Sequence, residues 1–342
     1  MVAVQADVAD LAPEEMERAY LEYRRACYDI VYRNAVERGV LDHLHAPVTL
    51  AEFADRMGVV PDKVPVAGLL LEALVRYGGV RRIDGTPPRY QSASADRPAS
   101  TFDEDLLFLA TDKRSFAELL HSENYAGIIG ALTTEGNPVS ATFDQANLPL
   151  WEEVLQAPFY RYSRLQAVGQ IAAAGPRLLD LACGPGFGLL ELAERTPDSP
   201  DSTVLGVEIS PDFVRSATER TAHDPRVRVL RGDVQEPLPF LRGGFFDGAM
   251  IVGAYHFLAN PAAMWDTAVR LVRPGGRFCV AYVLSKVGSY DQEIMDLRFA
   301  LRRPRSYPPT RADVVDLAAA KGMSLDREYR LGCWCWYAFT RE

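Results

Sequence analysis

Four short stretches in the second half of the chain hold residues whose types and spacing suit ligand chemistry. The first is Asp180-Leu181-Ala182-Cys183-Gly184-Pro185-Gly186-Phe187-Gly188. Its three glycines at alternate positions permit a tight turn and let a ligand lie against bare backbone. The turn runs into a helix-like stretch, 189–194, whose N-terminus favours negative groups. A dinucleotide fingerprint would place its third glycine three positions after the second, where this chain has Leu189. Taken alone, the loop leaves a pyrophosphate ligand open. The second stretch, Glu208-Ile209-Ser210, offers a carboxylate to both hydroxyls of a ribose, or else a charge at the start of a helix. The third, Arg231-Gly232-Asp233-Val234, offers a carboxylate to an adenine amine, with Gly232 admitting close approach. Its plainer alternative is a turn aspartate. The fourth, Ile251 to Phe257, contains Gly253 and His256, and an imidazole there can act as a base near neutral pH or simply pack in a loop.

Each stretch follows a strand-like run. Buried strands are expected at 178–181, 204–209, 227–230, 246–252 and 277–283, with helices between them. Ser210-Pro211 and Asn260-Pro261 read as helix starts, an N-cap followed by proline in the first turn. Two last strands are expected at 324–331 and 333–340, the second with no helix before it. Such alternation predicts an α/β fold, a doubly wound, mostly parallel, seven-stranded sheet. Ligands bind such sheets beyond the carboxyl ends of the strands, where the four stretches fall. Arg273-Pro274-Gly275-Gly276 reads as a structural turn into the fifth strand.

The first half has a different texture. A long helix is expected at 13–41, rich in Tyr20, Tyr23, Tyr28 and Tyr32, and apolar enough to pack in a core or against a second copy of the chain. Thr49 and Glu52 form a capping box. A leucine-rich helix at 64–77 stops at Gly78-Gly79, and a hairpin follows. Two short helices and a hairpin look like a winged helix. The second helix presents Leu69, Leu70, Leu71 and Leu74 rather than side chains that read bases, so a dimerisation head is expected in place of DNA binding. The expected organisation is a helical winged-helix-like domain at 1–104, a helical connector and pocket cover at 105–170, and a ligand-binding domain at 171–342.

Composition narrows the function. The chain has 342 residues and a net charge of −9, without the basic footprint of a nucleic-acid binder. Its five cysteines match neither a zinc nor a disulfide framework, so no metal is expected. Neither a signal peptide nor a membrane span is evident, and a soluble cytoplasmic protein is expected.

The four stretches together resemble the class I S-adenosylmethionine-dependent methyltransferases, which have a Rossmann-like fold. The glycine loop is similar to that family's acidic-x-Gly-x-Gly-x-Gly turn, with Ala182 in place of the first glycine. The resemblance covers about residues 170–342. It implies S-adenosyl-L-methionine as cofactor, with Gly184, Gly186 and Gly188 near its methionine part, Glu208 at the ribose, Asp233 with Val234 at the adenine, and Asp180, Ile209 and Gly253 among the other cofactor-binding residues. The whole chain resembles small-molecule O-methyltransferases of natural-product pathways that carry a winged-helix dimerisation domain. That resemblance implies a homodimer, a small-molecule acceptor and His256 as general base. Phe257 and Leu258 stand where that group often has Asp and Trp. Tyr125, Phe159, Tyr162, Met295 and Phe299 are the expected lining of the acceptor site, with His121 a further candidate. Transfer to nitrogen or carbon, or a fold reused for cyclisation or decarboxylation, stays open. An NAD-dependent oxidoreductase is opposed by Leu189 and Asp233, and a DNA-binding regulator by the acidic balance.

Overall fold

The computed structural model describes residues 12–93, 127–134, 139–140, 142–156, 158–300, 302–303 and 306–342. They form two compact units. One holds 142–287 with 307–342, the other 12–141 with 288–306.

The first unit opens with two helices, α1 (Leu148–Gln156) and α2 (Pro158–Ala172). The sheet and its helices follow in the order β1 (Arg177–Leu181), α3 (Phe187–Arg195), β2 (Thr203–Glu208), α4 (Pro211–Thr221) and β3 (Val227–Arg231). Then come β4 (Phe246–Val252), α5 (Pro261–Leu271), β5 (Val272–Val283), α6 (Arg311–Ala320), β6 (Met323–Leu331) and β7 (Trp334–Arg341). The seven strands lie in the order β6-β7-β5-β4-β1-β2-β3. Strands β1 to β5 are parallel, and β7 runs antiparallel between β5 and β6. This is the expected Rossmann-like, doubly wound sheet. The strand order reverses between β1 and β4, the point at which such sheets open a crevice.

Both faces of the central strands are covered, which is why they read as continuous apolar runs. Trp265, Phe278, Phe339 and Val314 pack on one face. Val168, Ile171, Leu189, Ala217 and Met250 pack on the other. The helix starts behave as their residues dictate. Ser210 Oγ accepts from the Phe213 amide at 3.3 Å, and Asn260 Oδ1 accepts from the Ala263 amide at 3.3 Å.

At the amino end of the sheet, Asp247 in β4 accepts from Arg177 Nη2 at 2.8 Å, from the Arg177 amide at 3.0 Å and from Arg273 Nε at 2.7 Å. The turn expected at 273–276 is taken up into β5, which begins at Val272. Pairing with β4 jumps from Phe246–Val272 to Gly248–Arg277, so the turn bulges out of the ladder without ending the strand.

In the second unit the long helix is Pro13–Glu37, ending before Gly39, whose φ of +70° turns the chain into the short Val40–Leu44 turn. Helices Leu50–Met57 and Val64–Tyr77 follow, then an antiparallel hairpin of Val80–Ile83 and Arg89–Ser92, extended by Val48–Thr49. Helix Gln292–Ala300 belongs to this unit. Tyr20 Oη donates to Asp291 at 2.7 Å, Tyr28 Oη to the Tyr290 carbonyl at 2.8 Å, and Arg76 Nη2 to Glu293 at 2.6 Å. No helix among the described residues is long and apolar enough to cross a membrane.

Candidate functional site

The glycine loop leaves β1 through three residues in the left-handed region: Ala182 (φ +60°), Gly184 (φ +56°) and Gly186 (φ +91°). A carboxylate holds it there. Glu208, at the end of β2, accepts from the Gly184 amide and the Ser210 amide, both at 2.9 Å. Burial pushes the Glu208 carboxyl up, against the pull of those amides.

The three glycines do different work. A Cβ at Gly184 would meet only Leu155 Cδ1, at 3.8 Å, so its backbone is open to a ligand. A Cβ at Gly186 would stand 2.9 Å from Ala217 Cα, so this glycine lets the loop press against α4. A Cβ at Gly188 would stand 2.5 Å from Asp180 Oδ2 and 2.8 Å from Met250 Cε. Gly188 therefore makes room for the Asp180 side chain. That carboxyl is buried, and burial pushes it well above the usual carboxylate range. Arg164 pulls it back, while Glu208 and Glu191 push the same way as burial. Arg164 is itself tied to Glu191 at 2.6 and 2.8 Å and to the Leu155 carbonyl at 2.8 Å.

The loop after β3 lies beside Glu208, whose carbonyl accepts from the Gly232 amide at 2.9 Å. Asp233 is half-buried, and its Oδ1 accepts from the Gln235 amide at 2.9 Å. Ile209 is 53% exposed and Phe240 57% exposed, unusual for residues this apolar, whereas Val234 is buried. A Cβ at Gly232 would lie 3.6 Å from Phe240 Cζ.

After β4, Gly253 (φ +71°) donates to the Ala281 carbonyl at 2.8 Å. His256 sits in the short helical turn Tyr255–Phe257 and is buried. Its ring lies 4.2 Å from that of Phe257, and its carbonyl accepts from the Tyr307 amide. Phe257 meets Phe143 at 5.2 Å, and Phe143 stacks on Trp151 at 5.1 Å. The Phe143 carbonyl accepts from Ser210 Oγ at 2.7 Å, which latches this aromatic wall to the loop after β2.

Asp180, Gly184, Glu208, Ile209, Asp233 and Val234 thus stand at the carboxyl ends of β1 to β3, and Gly253 and His256 at the end of β4. Phe159 and Tyr162 lie on α2, the first against Tyr160 at 4.4 Å and the second 6.5 Å from Tyr329. Met295 and Phe299 are buried in the other unit. Tyr125 and His121 lie outside the described residues. Sequence reasoning missed Arg164 and Tyr307, because long-range pairing leaves no local spacing.

Residues 178–276 match the family described as "Methyltransferase domain". A stretch of 106 residues is 40% identical to an uncharacterized 37.1 kDa protein in transposon TN4556 of Streptomyces fradiae, covering 31% of this chain and 30% of that one. Another of 152 residues is 28% identical to the 4-amino-L-phenylalanine/4-methylamino-L-phenylalanine methyltransferase of Streptomyces pristinaespiralis, covering 37% of this chain and 49% of that one. The chain therefore spans from under a third to about half the length of these curated relatives. Among solved structures, the CurJ carbon methyltransferase superposes with a TM-score of 0.66 at 16% identity, covering 96% of this chain and 94% of that one, a likeness of fold.

Proposed function

From the premise of a methyltransferase domain over residues 178–276, we propose that this protein is an S-adenosylmethionine-dependent methyltransferase acting on a small molecule. The observation that carries the reading is the Glu208 carboxylate, which binds the backbone of its own loop and of the glycine loop, with the Asp233 loop hydrogen-bonded alongside. Three adjacent strand ends so joined suit one nucleoside-bearing ligand.

The residues present fit that cofactor. Gly184 leaves bare backbone, Asp180 and Glu208 offer carboxyl groups to a cationic ligand, and Ile209 exposes an apolar side chain just past the end of β2. When bound, the cofactor supplies a methyl group on a positively charged sulfur. The chain's own work is then to hold, orient and exclude water. Glu208 accepts from ribose hydroxyls and Asp233 from the adenine amine. His256 takes the proton of an acceptor hydroxyl onto its imidazole.

A second reading, transfer to nitrogen or carbon, is favoured by the apolar setting of the histidine. Phe257 packs into an aromatic wall and Leu258 is buried. In that case His256 orients the acceptor. The relative from Streptomyces pristinaespiralis is named as a methyltransferase of amino acids, which supports a small-molecule acceptor for this chain too. The helical unit is proposed to join two copies of the chain, which sedimentation would show.

The test supplies the purified protein with methyl-labelled cofactor and a producing-cell extract. A product heavier by one labelled methyl, together with S-adenosylhomocysteine, is expected. Cofactor consumed with no labelled product would overturn methyl transfer. His256→Ala is expected to keep cofactor affinity and lose about two or more decades of turnover if the acceptor is a hydroxyl. Unchanged turnover would remove the base from the mechanism.

A further inference from the structure

Trp334 opens β7 and pairs with Val283 at the carboxyl end of β5. Side chains alternate along a strand, so Trp334 shares its face with Trp336, which packs in the core under α2. Two further elements close in on it. Tyr160, from the first turn of α2, meets the indole edge-on at 5.0 Å. Gly253, just past β4, brings bare backbone so near that a Cβ there would stand 3.9 Å from Trp334 Cη2. The side chain is 3% exposed, and its Nε1–H has no hydrogen-bond partner among the described residues.

An indole nitrogen can only donate. Folded proteins rarely bury a donor without an acceptor, because burial removes the water it would otherwise have bound. Phenylalanine would fill much the same space without that loss. Trp336 Nε1 also lacks a partner, but it lies two residues further from the carboxyl edge, its ring stacked on Tyr329 at 5.5 Å. Trp334 stands at the edge itself, beside the loop that carries His256.

We propose that Trp334 is a positioning residue for the methyl acceptor, its Nε1–H donating to an oxygen of an otherwise apolar small molecule. The proposal rests on the methyltransferase reading and adds to it a substrate class. The acceptor carries a carbonyl-like oxygen on an aromatic or aliphatic body that fits against Tyr160 and the bare backbone at Gly253.

The test uses the full chain labelled with 15N-tryptophan, saturated with S-adenosylhomocysteine. The chain has four tryptophans, so four indole signals are expected. Trp334→Phe assigns the one in question. Should that variant fail to fold, single phenylalanine replacements of Trp151, Trp265 and Trp336 assign it by elimination. The probes are acetophenone and α-methylstyrene, alike in shape but with a carbonyl oxygen in one and a methylene in the other. Acetophenone is expected to move the Trp334 indole signal downfield and to bind about tenfold more tightly than the hydrocarbon, the worth of one hydrogen bond. Trp334→Phe is expected to erase that preference while leaving cofactor affinity unchanged. An indole signal unmoved at millimolar acetophenone, or equal affinity for the two probes, overturns the proposal. A wild-type chain that binds no S-adenosylhomocysteine in calorimetry would instead overturn the methyltransferase reading beneath it.

Discussion

At Gly188 a methyl group would collide with a carboxylate oxygen, and that collision explains the residue better than ligand approach does. Gly188→Ala would press on Asp180 Oδ2 and Met250 Cε, and Gly186→Ala on the Ala217 backbone, where little can yield. Each is expected to cost about 1–3 kcal/mol of stability and to weaken cofactor binding, read by thermal melts and calorimetry. Asp180 makes a subtler prediction. Burial raises its folded pKa above the ordinary value of 3.8. The folded chain thus holds a proton that the unfolded chain has released. The stability this gives is complete below the ordinary pKa and is lost as pH rises through the folded one. Asp180→Asn removes that loss, so the ligand-free variant is expected to melt higher than wild type at neutral pH and no higher in acid. It is also expected to bind the cationic cofactor more weakly. Equal melting curves at all pH values would contradict the account. The sequence showed that three glycines and two acids stood together here. It did not show which glycine faces a ligand and which faces a neighbouring side chain, because that depends on Ala217 and Met250, far along the chain.

At the scale of elements, the strands and their order of appearance were legible because burial on both faces leaves an unbroken apolar run, and the caps at Ser210 and Asn260 were legible because they are local. The turn at 273–276 was read as the boundary of β5, whereas the strand already begins at Val272. Proline and glycines signal a break in pairing, and a break in pairing is also what a bulge supplies. What the turn positions is Arg273, which with Arg177 clasps Asp247. Burial would raise the Asp247 carboxyl, but the hydrogen bonds from the two arginines outweigh it and hold the pKa at about 2. Stability from this clasp is present above the ordinary value of 3.8 and is lost as pH falls towards 2. Asp247→Ala is expected to cost about 3 kcal/mol, somewhat less than a fully buried pair because both arginines are partly exposed. Denaturant melts at neutral pH would show it, and the difference from wild type should shrink at about pH 2.

Across the whole molecule, the least legible feature was the allegiance of residues 288–306. The helix that carries Met295 and Phe299 belongs to the helical unit, and its polar anchors lie there. Asp291 and Glu293 find Tyr20, Tyr28 and Arg76 more than 200 residues earlier, a pairing no local pattern announces. The Arg76–Glu293 pair is partly solvated, with side chains 41% and 24% exposed. A double-mutant cycle on it is expected to give less than about 1 kcal/mol of coupling. The ends of β1, β2 and β3, joined through Glu208, are the proposed seat of the cofactor. Calorimetric titration of S-adenosylmethionine into the wild-type chain and into Glu208→Ala addresses that directly. One site per chain, weakened at least about tenfold by the substitution, is the predicted result. Absence of binding heat, or an affinity indifferent to the loss of Glu208, would contradict it.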